Sequence, residues 1–229
     1  MLRAVLNSSN ALAVWVRRGQ LVDPGPRPVR VNLGSALVVA PGWIHVDASP
    51  NALVAGRGKT VQRLAHRLTG SDLSLDSEGY RSLLNEHRFV HHDLRYGIPF
   101  ADGAVDFVYT SHFLEHLDLA AGLSLLRESH RVLRPGGVIR VCVPDLEKAV
   151  QFYLSGDRTR FLSYFFTDGR EVRHRHRSMY DFETLRKALG DAGFVDVLKC
   201  EFAAGQTPDL ERLDNRSDET LYVEGVRPE

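Results

Sequence analysis

The stretch Pro28 to Ser49, PVRVNLGSALVVAPGWIHVDAS, decides the fold. Val29, Val31 and Leu33 alternate with Arg30 and Asn32 and run into Gly34, the pattern of a strand that must turn sharply over a ligand. Trp43, Ile44 and Val46 bring the chain back as a second strand ending at Asp47, thirteen residues after Gly34. In a Rossmann-like half-domain, a glycine turn after the first strand and an acidic residue at the end of the second put a carboxylate where it can accept both ribose hydroxyls of a nucleoside.

What the turn lacks narrows the ligand. A dinucleotide site uses G-x-G-x-x-G to bring a pyrophosphate against a helix N-terminus, but Gly34 is followed by Ser35, Ala36 and Val39, so the second and third glycines are absent. A nucleoside without phosphates, such as S-adenosylmethionine (SAM), needs less backbone clearance. A dinucleotide and a purely structural turn remain open at this point.

At 229 residues with 43% hydrophobic content, the chain can bury a full core as one α/β domain. Lys plus Arg and Asp plus Glu each number 29, a formal net charge of zero, so no field suited to a nucleic-acid backbone is expected. Cys142 and Cys200 sit in strand-like apolar runs, where a free thiol behaves as a small hydrophobe, and this usage suits a cytoplasmic chain. No run reaches the length of a membrane span, and Asn, Ser and Arg interrupt the N-terminal LNSSNALAVWVRRGQ. A short amphipathic helix is expected over residues 10–19, packed on the sheet edge, inside an N-terminal segment of about 1–27 that DPGPRP closes.

Beyond Asp47, GRGKT imitates a phosphate loop, but Leu53 stands where its first glycine belongs, so Val61 to Leu68 reads as an ordinary helix. A further short helix near Tyr80–Glu86 precedes strands at Phe89–His92 and Val105–Thr110. Asp93 closes the first of these at the nucleotide edge, where its carboxylate could accept an adenine amino group beside the Leu94 N–H; a capping Asp is the structural alternative. His91 and His92 alternate across a strand and cannot chelate one ion together.

His112 to His116, HFLEH, formally matches the H-x-x-E-H zinc motif, but that site needs a further acidic ligand on a following helix, and here the motif begins where a strand ends. No metal is expected. His112 is read as facing the ligand cleft and His116 as a hydrogen-bonded structural residue. From Asp118 the chain reads as a helix whose stripe is Leu119, Leu123, Leu126 and Leu133, with His130 as a core histidine on it. Pro135, Gly136 and Gly137 stop it before a buried strand at Val138–Val143, which ends at Pro144 and Asp145. Helices follow over Leu146–Leu154, Arg160–Phe166 and Phe182–Leu189, then strands at Val195–Phe202 and Thr220–Val226. The polar GQTPDLERLDNRSDE between those strands reads as an excursion closing a hairpin.

Taken in order, VNLGSALVVAPGWIHVDAS, FADGAVDFVYTSHFLEHL, LLRESHRVLRPGGVIRVCVPDLEKAVQFY and LYVEGVRP resemble the class I SAM-dependent methyltransferases, specifically the type 11 group. The resemblance implies a Rossmann-like α/β domain: a seven-stranded, mostly parallel sheet with helices on both faces and a reversed last strand. It also implies S-adenosylmethionine as cofactor, with Leu33, Gly34 and Ser35 at its methionine part, Asp47 and Ala48 at its ribose, Asp93 and Leu94 at its adenine, and Ser111 and His112 beside them. Ala36 departs from the glycine usual in that family.

The expected reaction is O-methylation of a small hydroxylated molecule, a sugar or secondary metabolite. N-methylation and a SAM-binding protein without methyl transfer, in a regulatory or scaffold role, are the alternatives. A hydroxyl nucleophile must lose its proton, and His112 and Asp145 border the cleft; histidine is favoured because its ordinary pKa lies near neutrality. The insertion at about 146–180 is expected to form the acceptor site, with Tyr153, His174, His176 and Tyr180 as its contacts. His174 and His176, two apart, share one side of an extended chain, but nothing in the run completes a metal site. The expected partners are a small-molecule acceptor and at most a second copy of the chain, with no nucleic acid and no membrane.

Overall fold

The computed structural model describes residues 2–69, 75–166 and 176–229, the side chains of 2–7 and 69 excepted. Strands β1 (Arg30–Leu33), β2 (Trp43–Asp47), β3 (Arg88–His91), β4 (Val105–Ser111), β5 (Leu133–Pro144), β6 (Val195–Cys200) and β7 (Thr220–Val226) form one seven-stranded sheet, ordered β3-β2-β1-β4-β5-β7-β6. β7 runs antiparallel to both neighbours and every other pairing is parallel. This is the α/β sheet with a reversed last strand that the resemblance implies. Around it lie α1 (Leu2–Arg17), α2 (Pro50–Val54), α3 (Lys59–Thr69), α4 (Ser77–Glu86), α5 (Leu119–Val132), α6 (Leu146–Leu154), α7 (Arg158–Ser163), α8 (Phe182–Asp191) and α9 (Leu210–Leu213).

The strand period sorts side chains onto two unlike faces. Val31, Leu33, Ile44, Val46, Val108, Ile139, Val141, Val143, Leu221 and Val223 make an aliphatic face that packs with Leu125 and Leu126 of α5 and Leu185 and Leu189 of α8. The α5 stripe differs from the expected one. Asp118 caps the helix by accepting the Ala121 N–H, and the phase this sets buries Gly122, Leu125, Leu126, Ser129 and Val132 while Leu119 is 68% exposed. Leu133 has left the helix and pairs with Val105, so Pro135 to Gly137 lie inside β5, at an irregularity in its register with β4. His130 is half-buried against Phe194 and not enclosed in the core.

The other face is polar and aromatic: Arg30, Asn32, Trp43, Tyr109, Arg140, Cys142, Tyr222 and Glu224. Parallel neighbours are usually joined by a crossover of a dozen residues or more carrying a helix, yet residues 34–42 link β1 to β2 with no helix at all. The uncovered area is taken by residues 201–216, including α9, so the polar segment before β7 is a layer of the fold and not an excursion. Trp43, Tyr109, Cys142, Tyr222, Leu210 and Leu213 form its apolar part. Arg140, fully buried in β5, donates to Asp214 at 2.6 and 3.1 Å, to Glu224 at 3.3 Å, and to the carbonyls of Ala204 and Glu201. Asp209 accepts from Arg30 at 3.0 Å and from the Trp43 indole at 2.9 Å.

Removing the Arg140 guanidinium would leave two buried carboxylates without their cation. Arg140→Met is therefore expected to cost about 3–5 kcal/mol in urea denaturation, against well under 1 kcal/mol for exposed Arg186→Met, whose partner Glu183 stays hydrated.

Burial also lowers the pKa of His45 to about 4 and of His91 to about 4, so both are neutral in the folded chain. The unfolded chain, with an ordinary imidazole pKa near 6.5, takes up these protons first as the pH falls. Stability contributed by the two residues is thus complete above about pH 6.5 and is lost between there and about pH 4, on the order of 3 kcal/mol each. Denaturation midpoints measured across that range should fall steeply, and His45→Gln should flatten the slope.

Candidate active site

The carboxyl ends of β1, β2 and β4 bring the expected nucleoside residues to one edge. Gly34 leaves β1 with φ +64°, its N–H bonded to the Val46 carbonyl at 2.9 Å. Asp47 then closes the turn from the neighbouring strand: one carboxylate oxygen accepts the Ala36 N–H at 2.9 Å and the other the Ser49 N–H at 2.6 Å. Each oxygen keeps a second lone-pair direction. The hydroxyls of Ser35 and Ser49, buried on either side, have no hydrogen-bond partner among the described residues. Leu33 is fully buried in the core, and the carbonyl of Ala48 accepts from Asn10 of α1 at 2.9 Å. Asn10 also meets His91 at 2.8 Å, which ties α1 to the carboxyl ends of β2 and β3, a contact its sequence did not suggest.

Asp93 caps a 3-10 turn, Leu94–Tyr96, and is gripped by the Arg95 guanidinium at 2.6 to 3.0 Å. Burial alone would raise its pKa, but the bonds from Arg95 outweigh that and hold it below the ordinary carboxylate range. The capping role weighed from sequence is thus observed; an adenine would have to share this carboxylate with Arg95. Leu94 beside it is half-buried.

β4 ends at half-buried Ser111, and His112 follows in the left-handed region at φ +49°. Its Nε2 lies 3.0 Å from the Thr220 hydroxyl and its Nδ1 3.3 Å from a Glu115 oxygen, the latter without the angle of a hydrogen bond. Phe113 folds back over the glycine turn so closely that a Cβ on Gly34 would sit 2.3 Å from its ring.

The acceptor residues separate. Asp145 is 2% exposed and caps α6 by accepting the Glu147 N–H. Tyr180 belongs to the main core, bridged by its backbone to Asp145, with its hydroxyl against Gly122. Tyr153 is exposed on α6, its ring on Phe161 and under Arg158. His174 lies outside the described residues. His176 is half-buried, and its Nδ1 is bonded to the Tyr164 carbonyl. One of its ring nitrogens, a Glu115 oxygen and a ring nitrogen of His116 all lie within 4.8 Å of one another. The two motifs weighed separately as metal ligands therefore meet, sixty residues apart in sequence. Burial pushes the Cys142 and Cys200 thiols above their ordinary values, which keeps both protonated and unreactive.

Residues 52–141 match the model of a family described as a methyltransferase domain. The chain is 29% identical over 170 residues to demethylmenaquinone methyltransferase of Staphylococcus epidermidis, covering 70% of this chain and 60% of the relative. This chain thus spans about 60% of that relative's length, less than two thirds. Among solved structures, the apo form of the S-adenosylmethionine-dependent methyltransferase SibL superposes with a TM-score of 0.53 at 22% identity, covering 98% of this chain and 57% of SibL. PigF with SAH superposes at 0.50 with 14% identity, covering 99% and 58%. The family match, the relative and the sheet order together support a class I SAM-dependent methyltransferase.

The cofactor of these methyltransferases is S-adenosylmethionine, and the residues here suit its nucleoside. Asp47 offers free lone pairs for two ribose hydroxyls, and the unpartnered Ser35 and Ser49 hydroxyls flank it. The Phe113 ring covers the turn that the methionine part would follow, so that ring sets the clearance over Gly34.

Gly34→Ala combines two separable costs: a left-handed backbone and a collision with Phe113. Urea denaturation should show a loss of about 1–2 kcal/mol from the backbone alone, with packing strain added. Adding Phe113→Ala should remove the packing part, giving a non-additive double mutant. Simple additivity would separate Phe113 from the turn.

Proposed function

We propose that the chain transfers the methyl group of S-adenosylmethionine to a hydroxyl of a small acceptor. What supports this reading is the Asp47 carboxylate closed on the Gly34 turn, with His112 following the neighbouring strand β4 as the proton acceptor. When bound, the cofactor supplies an electrophilic sulfonium methyl. Asp47 holds the ribose and Asp93 with Leu94 borders the adenine, leaving the methyl toward the ends of β4 and β5.

In-line displacement needs alignment and, for a hydroxyl, removal of one proton. His112 is better placed for that than Asp145, whose carboxylate is enclosed and engaged as a helix cap. Glu115 beside Nδ1 supports an imidazole that takes a proton at Nε2, where the Thr220 hydroxyl now sits. Tyr153 and His176 are the acceptor contacts this reading retains, while Tyr180 lies in the core. The relative at 29% identity is a demethylmenaquinone methyltransferase, which puts quinone-type rings among the acceptors to try. No helix among the described residues is long and apolar enough to cross a membrane.

Calorimetry with S-adenosylhomocysteine tests the cofactor half. Asp47→Ala should weaken binding by roughly 30-fold, about 2 kcal/mol, and equal affinity would remove Asp47 from the site. Labelled S-adenosylmethionine offered with a panel of hydroxylated and amine acceptors tests the transfer half. With the acceptor found, His112→Ala should lower kcat by about 10²- to 10⁴-fold at unchanged cofactor affinity. Binding without transfer to any acceptor would favour a SAM-responsive regulatory protein.

A further inference from the structure

Glu115 is completely buried, and neither carboxylate oxygen has a hydrogen-bond partner among the described residues. A buried carboxylate in that state costs several kcal/mol unless a cation or a proton compensates it. His112 approaches one oxygen at 3.3 Å but not in hydrogen-bonding geometry, and the second oxygen is left bare. Facing it are two imidazoles, His116 and His176, with rings 5.2 Å apart.

From this arrangement we infer that Glu115, His116 and His176 hold a divalent transition-metal ion. Two imidazoles and one carboxylate are the donors that suit zinc and its first-row neighbours and serve magnesium poorly. The Nδ1 of His176 is committed to the Tyr164 carbonyl, which leaves Nε2 as the lone-pair nitrogen; a ligating histidine is commonly oriented by such an outer bond. Its approach to Glu115 is built by the backbone. The Glu115 carbonyl accepts the N–H groups of Arg177 at 2.7 Å and Ser178 at 3.2 Å, and the Ser178 hydroxyl donates to Leu117 at 2.7 Å. Donor atoms up to 4.8 Å apart are wider than the roughly 3.3 Å spacing of a closed tetrahedral shell, a gap that small side-chain rotations close.

Three protein ligands leave a coordination position open. His112 approaches the same carboxylate at 3.3 Å, so an acceptor hydroxyl taken into that open position would be acidified near the proposed base. Binding itself rests on none of the methyl-transfer reading and is measured without cofactor or acceptor.

The untagged full chain, stripped with chelator, is titrated with Zn²⁺, Co²⁺ or Mg²⁺ against a chromophoric competitor. One equivalent of Zn²⁺ should bind, Co²⁺ should give the visible bands of a low-coordinate site, and Mg²⁺ should not compete. Glu115→Gln should weaken Zn²⁺ by about 100-fold or more. Because that change falls in the interior, the half-buried His176→Ala serves as the second variant, with S-adenosylhomocysteine affinity and circular dichroism unchanged. Substoichiometric zinc, equal binding by His176→Ala, or Mg²⁺ binding as tightly as Zn²⁺ would each overturn the site.

Discussion

The buried guanidinium of Arg140 is the constraint on which the second layer of this protein depends. An arginine in the middle of a central strand cannot be desolvated alone, and Asp214, Glu224 and the carbonyls of Glu201 and Ala204 surround it. Three of those four partners come from the segment between β6 and β7. Its charge is well supported: burial would lower its pKa, yet the bonds and charges of Asp214 and Glu224 raise it above the ordinary value. The pair is better understood as a registration device than as a source of stability. A hydrophobic replacement of the whole cluster could be as stable, but it would not specify which carbonyls the segment must meet.

That device compensates for a missing helix. With nine residues joining β1 to β2, the sheet face above Trp43, Tyr109 and Tyr222 has no crossover helix to cover it. Asp209 bonded to Arg30 and Trp43, together with Leu210 and Leu213, supplies the cover instead. The short connection also tightens the ligand edge. Asn32 donates to the Val38 carbonyl and Asp47 accepts from Ala36, so the turn after Gly34 is held by side chains of the strands on either side. Ala36, at φ +46°, sits in a conformation costly for a residue with a Cβ, and the Asp47 bond to its N–H is what offsets that. The departure from glycine is therefore accommodated without loss of the turn.

The period-2 pattern of β1, β2 and β5 made the sheet legible in the sequence, because burial of one aliphatic face imposes alternation that chance rarely produces. The order of Gly34, Asp47, Asp93 and His112 on successive strand ends was legible for the same reason. The α5 stripe was not. Leucines at 119, 123, 126 and 133 satisfy a helical period as well as the buried set does, and only the Asp118 cap and the exit of Leu133 into β5 choose between them. Nor was the second layer, since Asp209, Asp214 and Glu224 look like solvated charges until tertiary folding places Arg30 and Arg140 beside them. The H-x-x-E-H motif carried a signal whose missing ligand could not be found by local spacing. His176 meets Glu115 and His116 only through bonds between the 114–117 turn and Arg177 and Ser178.

The reversed strand has a consequence at the same edge. Parallel strands end where ligands bind, but an antiparallel one begins there, so Thr220 opens β7 opposite Pro144 at the end of β5. Its hydroxyl reaches His112, and its carbonyl accepts from Lys148 of α6, as does that of Ser217. The residue read as the base is thus framed by three separate elements: Thr220 on one ring nitrogen, Glu115 near the other, and its own left-handed backbone, which turns the chain so that the 114–116 turn comes back under it. A ring bonded at Nε2, with Glu115 close to Nδ1, has little freedom to turn. The reversed strand therefore does more than close the sheet: it brings β7 and the Arg140-anchored layer into register with the proposed reacting edge.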